Sequence, residues 1–339
     1  MARSPAAAAR LEAVAAANRL HADLDLRRRV TQGQGFIDIF EAIGDLGIPL
    51  VFKPLDSALG LCLPAPLRGI MITARRGLHI QRFTAAHELG HDTLGHQGSI
   101  DQEILERGPN SPWEGRDLQE VAAEAFAAEF LLPRWLYRHH IQAQGWTLAH
   151  DLRRPETIYQ LSLRMVASYE ATCWGLLSHQ ILPYDQVREL NRAKLGELKA
   201  GLGEGHKPTD SWADVWKVTQ RDNGATLLGN PDDLLRIELE ESPSSGHRWG
   251  VEELPTDDWE LLEDQSQFQT SPVLYGAPSR RVVVARPRHG GLGRIALHER
   301  HPWAAQSPDN AEFQVAISLH GPERPGLSRI DRERLGLHQ

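Results

Sequence analysis

The residues best suited to chemistry are two histidines and a glutamate in the run His87-Glu88-Leu89-Gly90-His91. If the run is helical, His87 and His91 leave the same face one turn apart, which suits two corners of a tetrahedral zinc site. Glu88 is rotated by about 100° from His87, so its carboxylate reaches a water beside the metal. Zinc lowers the pKa of such a water, and Glu88 takes its proton as the water attacks a carbonyl. The run therefore predicts a hydrolytic zinc site.

This short pattern needs support from a further ligand. In chains with 16 histidines, it arises by chance in about one chain in twenty. The alternative is a helix with two surface histidines. A second helical stretch places Glu120 and Glu124 four positions apart on a stripe of small and apolar residues. Buried, this pair would be costly without a cation. A zinc ion bound by one carboxylate, with the other orienting a histidine, resolves the conflict. Otherwise the helix is solvated and its acids are incidental, as we expect for Glu129.

Two neighbouring positions also bear on the site. Gly90 in mid-helix costs about 1 kcal/mol relative to alanine, so we expect another backbone to approach closely there. His96 lies five positions after His91, off the ligand face, and is expected to orient a ligand or to be structural.

The elements that position these residues belong to a mainly helical half, residues 5–200. The hydrophobic pattern predicts helices over 5–20, 36–46, 118–132 and 159–177, and strands over 50–52 and 70–73. From residue 223 the period changes to two, as in Leu235, Ile237 and Leu239, and later in Phe313–Leu319. Such alternation predicts an antiparallel sandwich with one buried face per sheet.

The composition and net charge favour some classes of protein and disfavour others. The chain has 339 residues, 41% hydrophobic and 24% charged, and a net charge of −8, which fits a globular protein of two domains and disfavours binding to nucleic acids or anionic membranes. Two distant cysteines, Cys62 and Cys173, indicate reduced thiols in the cytoplasm. No apolar stretch is long enough to span a membrane.

The run Gln81-Arg82-Phe83-Thr84-Ala85-Ala86-His87-Glu88-Leu89-Gly90-His91, followed by Glu120-x-x-x-Glu124-x-Phe126-Ala127-Ala128, resembles the ImmA/IrrE family of metallopeptidases. The resemblance covers roughly residues 10–190. It implies a gluzincin-like fold, with Zn²⁺ on His87, His91 and Glu120 and with Glu88 as the catalytic base. The family usually has Asn or Asp at position 124, so Glu124 remains an alternative ligand or a group that orients one.

The same resemblance implies the substrate class. These are intracellular regulators such as helix-turn-helix repressors, inactivated by limited cleavage in stress or mobile-element control. A donor for the oxyanion is also required. The candidates by nearness in sequence are Tyr137, Arg138, His139, His140 and Tyr159.

Residues 223–321 resemble the chagasin-like inhibitors of cysteine peptidases, which implies an immunoglobulin-like sandwich. The resemblance rests on three loops, Ser242–Trp249, Gly276–Ser279 and His301–Trp303. Each loop departs from the inhibitory pattern; for example, His301 stands where an arginine usually precedes Pro-Trp. The fold therefore carries over better than the inhibition.

The sequence thus predicts an α+β protein with a metallopeptidase domain over 1–200, a linker over 201–222, the sandwich over 223–321 and a tail over 322–339. The leading hypothesis is a cytoplasmic zinc endopeptidase of regulatory proteins, whose sandwich recognises the substrate or regulates cleavage. The alternative is a binding or inhibitor protein in which the sandwich binds a peptidase or another partner and the metal site is structural or sensory.

Overall fold

The computed structural model describes residues 4–64, 66–96, 100–101, 117–208, 210, 212–241, 245–251, 254, 257–268, 279–303 and 311–337. The chain forms two compact units. The first comprises Met1–Gln32, Phe36–Arg138 and Gly321–Gln339, and the second comprises Gly33–Gly35 and His139–His320. A helical N-terminal part and a β-rich C-terminal part fit the predicted α+β class.

The helices of the chain are α1 Pro5–Asp23, α2 Leu26–Arg29, α3 Ile39–Asp45, α4 Leu78–Leu94, α5 Leu118–Leu131, α6 Arg134–Ala143, α7 Pro155–Arg164, α8 Tyr169–Ser178, α9 Tyr184–Leu190, α10 Leu195–Gly203 and α11 Arg329–Arg334. The strands are β1 Leu50–Lys53, β2 Gly60–Leu63, β3 Gly69–Thr73, β4 Ile100–Asp101, β5 Val215–Thr219, β6 Thr226–Gly229, β7 Leu234–Glu241, β8 Arg248–Trp249, β9 Trp259–Phe268, β10 Ser279–Pro287, β11 Gly291–Arg300, β12 Ala311–Leu319 and β13 Gly326–Leu327.

In the first unit, one sheet has the strand order β13-β1-β3-β2-β4, and α4 lies next to β2 and β3. The predicted N-terminal helix is α1, which begins where the Ser4 hydroxyl accepts a bond from the Ala7 amide at 3.3 Å. Its buried face consists largely of alanines, which permits close packing on α5. The side chain of Asn18 bonds Glu129 at 3.2 Å, so Glu129 lies at the partly exposed edge of this pair.

In the second unit, two four-stranded sheets have the orders β5-β7-β10-β9 and β6-β12-β11-β8. The helix predicted over 159–177 is two helices, α7 and α8. Between them Val166 has a φ of +52°, a conformation that a helix cannot continue through. Ser168 then starts α8 by accepting a bond from the Ala171 amide at 3.2 Å.

The strands correct the prediction of one buried face per sheet. β12 alternates as predicted, but Arg236 and Glu238 on β7 are buried together with the apolar residues between them. They form an ion pair at 2.8 Å, and Lys217 on β5 bonds Glu238 at 3.0 Å. Charged residues can occupy this buried face because they are paired there.

The compact units also differ from the predicted boundaries. The segment predicted as a linker, 201–222, contains β5, which pairs in parallel with β7. The segment predicted as a tail, 322–339, contains β13 and α11 and belongs to the first unit. Residues 139–200, predicted in the first domain, belong to the second unit.

Cys62 and Cys173 are buried and form no disulfide, as predicted. Among the described residues, no helix combines the length and apolar character needed to cross a bilayer.

Candidate metal centre

The predicted histidines lie on α4, which begins after Gly77 and ends at Gly95 with a left-handed φ of +67°. His87, Glu88 and His91 are completely buried. The helical spacing turns both imidazoles towards one point, so that their Nε2 atoms lie 3.0 Å apart.

Glu120 faces the same point from the first turn of α5. The Oε2 atom of Glu120 lies 3.3 Å from the Nε2 of His87, and its Oε1 atom lies 3.4 Å from the Nε2 of His91. A tetrahedral zinc ion with bonds of about 2.0–2.1 Å would separate its ligand atoms by roughly 3.3 Å. The three side chains therefore form a triangle of the size that a tetrahedral metal requires.

Glu124 does not join this group. Within the described part of the chain, the ligand atoms that lie within 4.8 Å of one another are those of His87, His91 and Glu120. Of the two acids that the sequence left open, Glu120 is the one at the triangle. Two imidazoles and a carboxylate suit zinc, and they also accept manganese or iron.

The electrostatics favour a neutral imidazole. Burial, reinforced by the neighbouring His87 and opposed by Glu120, lowers the pKa of His91 to about 4. His91 is therefore unprotonated on one nitrogen near neutral pH, the form that binds metals. On its other side, the Nδ1 atoms of His91 and His96 lie 3.0 Å apart. If Nε2 of His91 faces a cation, its Nδ1 carries the hydrogen and donates to His96, which fixes the ring.

The glycine at position 90 of α4 is explained by a different contact from the one predicted. A Cβ at this position would lie 3.1 Å from Cδ1 and 3.2 Å from Cγ of Phe126, so a side chain rather than a backbone approaches it. Phe126 on α5 is buried and stacks on Phe130 at 5.6 Å between ring centroids. This contact brings α4 and α5 together and so sets the position of Glu120.

One functional position was not recognised from the sequence. Gly60 on β2 faces α4, where an added Cβ would lie 2.5 Å from both the Glu88 Oε1 and the Thr84 Cγ2 atoms. The carboxylate of Glu88 therefore occupies the space that a side chain at position 60 would take. Gly60 is the first residue of β2, and a glycine in a strand can mark such a close approach.

The candidate oxyanion donors divide between the two units. Tyr137 lies buried in the first unit and Arg138 is exposed at its end. In the second unit, the Tyr159 hydroxyl donates to Asp214 at 2.7 Å, and the His140 Nε2 bonds the carbonyl of Gly35 at 2.6 Å. Tyr159 and His140 are thus engaged within their own unit.

In the second unit, parts of two predicted loops lie close together. The rings of His247 and His301 stack with centroids 4.0 Å apart, and His301 lies 5.1 Å from the ring of Trp303. A Cβ on Gly246 would meet the indole of Trp303 at 2.7 Å. Residues 242–244 and 276–278 of the predicted loops lie outside the described residues.

Two segments of the chain each match the profile of a known family. The profile of the IrrE N-terminal-like domain, Peptidase_M78, matches residues 43–176. The profile of the chagasin family peptidase inhibitor I42 matches residues 230–317. The chain is therefore similar to an M78 domain and to a chagasin-family inhibitor in two successive segments.

Relatives of known name match the chagasin domain. Amoebiasin-2 of Entamoeba histolytica is 32% identical over 96 residues, which are 28% of this chain and 77% of that protein. This part of the chain therefore belongs to the chagasin family. Chagasin of Trypanosoma cruzi is 29% identical over 108 residues, 31% of this chain and 97% of chagasin. The crystal structure of the cysteine protease inhibitor EhICP2 from Entamoeba histolytica has 27% identity and a TM-score of 0.29, covering 31% of this chain and 96% of that chain.

Proposed function

We propose that the M78 domain is a zinc-dependent endopeptidase with a gluzincin-like fold. In this proposal His87, His91 and Glu120 hold the metal, and Glu88 is the general base. The observation that carries it is the convergence of three side chains: the two imidazole Nε2 atoms lie 3.0 Å apart, and one oxygen of the partly buried Glu120 lies 3.3 Å from His87 and the other 3.4 Å from His91. The M78 family match supports a metallopeptidase type of domain.

The protein's own residues then divide the work. A bound zinc ion would polarise the scissile carbonyl and acidify a water. The Glu88 carboxylate accepts the proton of the attacking water and returns it to the leaving amine. Its burial beside Gly60 excludes bulk water, which strengthens its interactions with charge that develops during the reaction. The partly buried His96 holds His91 in the tautomer that a metal needs.

A Glu88→Gln variant tests this division. The amide fills the same space but cannot accept a proton, so we expect it to keep the metal content of the parent and to lose at least about 10²-fold in cleavage rate. Parental cleavage by Glu88→Gln would contradict the role of Glu88. A parent that cleaves at the same rate after its metal is removed would contradict the proposal as a whole.

The same variant serves as a trap for the substrate. The ImmA/IrrE resemblance leads us to propose a regulatory protein such as a helix-turn-helix repressor, cut at a limited number of sites. Recovery of one such protein on Glu88→Gln, followed by its cleavage with the parent, would support this substrate class. The reduced thiols of Cys62 and Cys173 fit the cytoplasmic location that such a substrate requires.

A second proposal concerns the chagasin domain, for which we propose an immunoglobulin-like sandwich that binds a cysteine peptidase. Its 32% identity to Amoebiasin-2 supports this. Trp303 is 73% exposed beside the His247–His301 stack, and exposed aromatic side chains are frequent anchors in protein interfaces. Such binding would either recruit a substrate to the M78 domain or inhibit the bound peptidase.

An assay with papain distinguishes recruitment of a substrate from inhibition of the bound peptidase. If the domain inhibits, the full chain slows papain, and Trp303→Ala weakens this by about tenfold or more. Trp212→Ala is the matched control, because Trp212 is 83% exposed elsewhere in the same unit. Papain that binds the chain and stays fully active favours recruitment, and absence of binding contradicts a peptidase partner of this type.

A further inference from the structure

The last part of the chain returns to the first compact unit after the whole chagasin domain has been completed. We call residues 321–337 the C-terminal clasp. Its strand β13 lies antiparallel to β1, with Leu327 opposite Val51 and Gly326 opposite Phe52. β1 in turn pairs in parallel with β3, the strand that leads into α4. The clasp thus forms one edge of the sheet beside the metal helix.

A single buried side chain joins the clasp to the first turn of α4. The amide nitrogen of Gln81 donates to the carbonyl of Glu323 at 2.9 Å and to the carbonyl of Thr73 at 3.2 Å. Its amide oxygen accepts a bond from the backbone N–H of Glu323 at 2.7 Å. Gln81 is completely buried and lies six residues before His87. It therefore ties the clasp and the end of β3 to the helix that carries both histidines.

Charged side chains stabilise the clasp internally and attach it at one further point. The carboxylate of Glu323 is buried and accepts a bond from the backbone N–H of Arg329 at 3.1 Å. The guanidinium of Arg332 lies 3.7 Å from the same carboxylate. At the end of α11, Arg334 bonds Asp45 on α3 at 2.6 Å. The clasp is therefore fixed to the rest of the first unit through backbone pairing, a buried amide and the ion pair of Arg334 with Asp45.

We infer that the C-terminal clasp is part of the scaffold of the metal centre, and that the chagasin domain lies within a segment, His139–His320, that interrupts the first compact unit. Gln81 and Glu323 are positioning residues: they hold the first turns of α4 and, through the rigid helix, the two imidazoles. Metal affinity then depends on residues that follow the chagasin domain in the sequence. The metal part of this inference rests on the proposed function, whereas the support of α4 by the clasp does not.

The test compares full-length Glu323→Pro with Arg324→Ala. Proline removes the N–H that donates to the amide oxygen of Gln81. Arg324 is exposed in the same segment and serves as the matched control. Zinc affinity is measured by competition with a chromophoric chelator, and the protection of backbone amides by hydrogen exchange. We expect Glu323→Pro to bind zinc about tenfold more weakly, as loss of supporting contacts does at other metal sites.

The amide exchange shows whether the effect is local. In Glu323→Pro we expect faster exchange in β1 and in the first turns of α4, with unchanged exchange in β7 and β10 of the second unit. Arg324→Ala should match the parent throughout.

Parental zinc affinity together with parental amide protection of α4 in Glu323→Pro would overturn the inference. Faster exchange throughout both units would also overturn it, because the segment would then support the whole chain rather than the metal helix. If the parent itself binds no zinc, the proposed metal site fails, and the exchange of α4 alone decides whether the clasp supports it.

Discussion

Replacing Gly60 with alanine places a methyl group against the proposed catalytic base. The new Cβ would lie 2.5 Å from the Oε1 of Glu88 and 2.5 Å from the Cγ2 of Thr84. The shortest comfortable contact between such atoms is about 3.5 Å, so the groups must separate by about 1 Å. Thr84 is completely buried in α4 and cannot retreat, so either the carboxylate or β2 moves.

The expected cost is larger in catalysis than in stability. Overpacking of this kind destabilises a protein by about 1–3 kcal/mol, whereas misplacing a catalytic group by about 1 Å can lower the rate about 10²-fold. Gly60→Ala should therefore keep its metal and most of its stability but cleave about 10²-fold more slowly. The rate is measured with a quenched fluorescent peptide selected on the parent protein, alongside zinc content and thermal unfolding.

Gly69→Ala is the matched control on the neighbouring strand. An added Cβ there would lie 3.6 Å from the carbonyl of Leu67 and 3.7 Å from that of Pro49, which are ordinary contacts. We expect it to cleave at the parental rate. Parental turnover by Gly60→Ala, with a correctly folded protein, would refute the placement of Glu88 against β2.

Three other substitutions test the packing around and beyond the site. Gly90→Ala gains about 1 kcal/mol of helix propensity, but its methyl group crowds Phe126. We therefore expect weaker zinc binding in a chelator competition and no gain in thermal stability. Stronger zinc binding would contradict the contact between Gly90 and Phe126. Burial lowers the pKa of His140 to about 3, so unfolding takes up a proton below about pH 6.5 and the free energy of unfolding falls as the pH falls. In His140→Gln the decline between pH 7 and pH 5 should be smaller by about 2 kcal/mol, from 1.5 pH units at about 1.36 kcal/mol each, as measured by urea unfolding. Arg164→Leu leaves the buried carboxylate of Asp222, now 2.8 Å from the guanidinium, without its partner and should cost about 3–5 kcal/mol in the same assay; a loss below about 1 kcal/mol would contradict the burial of the pair.

The metal triangle was predictable because its geometry is local to two helices. His87 and His91 share a face through helical spacing alone, and the stripe of small residues beneath Glu120 indicated that α5 packs closely. Helical spacing alone did not decide between Glu120 and Glu124, since both lie on the same face, and it was the family resemblance that favoured Glu120. The choice depends on how far α5 lies along α4, which the Phe126 contact at Gly90 sets.

The features that the sequence did not predict depend on partners far away in the chain. A two-residue strand such as β13 is too short to show an alternation of apolar and polar residues. It forms because it pairs with the edge of β1. Arg236 and Glu238 looked solvent-facing by their alternation, yet Lys217 and neighbouring strands bury and pair them. Gln81 stands in the run that resembles the ImmA/IrrE family, but no pattern in the sequence indicated that its bonds reach Glu323 across 242 positions.

The central claim is that a metal is held by His87, His91 and Glu120. Elemental analysis of the purified parent, Glu120→Ala and Glu124→Ala, each after zinc reconstitution, tests it most directly. We predict near-stoichiometric zinc in the parent and in Glu124→Ala, and its loss in Glu120→Ala. Zinc lost only in Glu124→Ala would move the third ligand, and a parent without metal would contradict the metallopeptidase account.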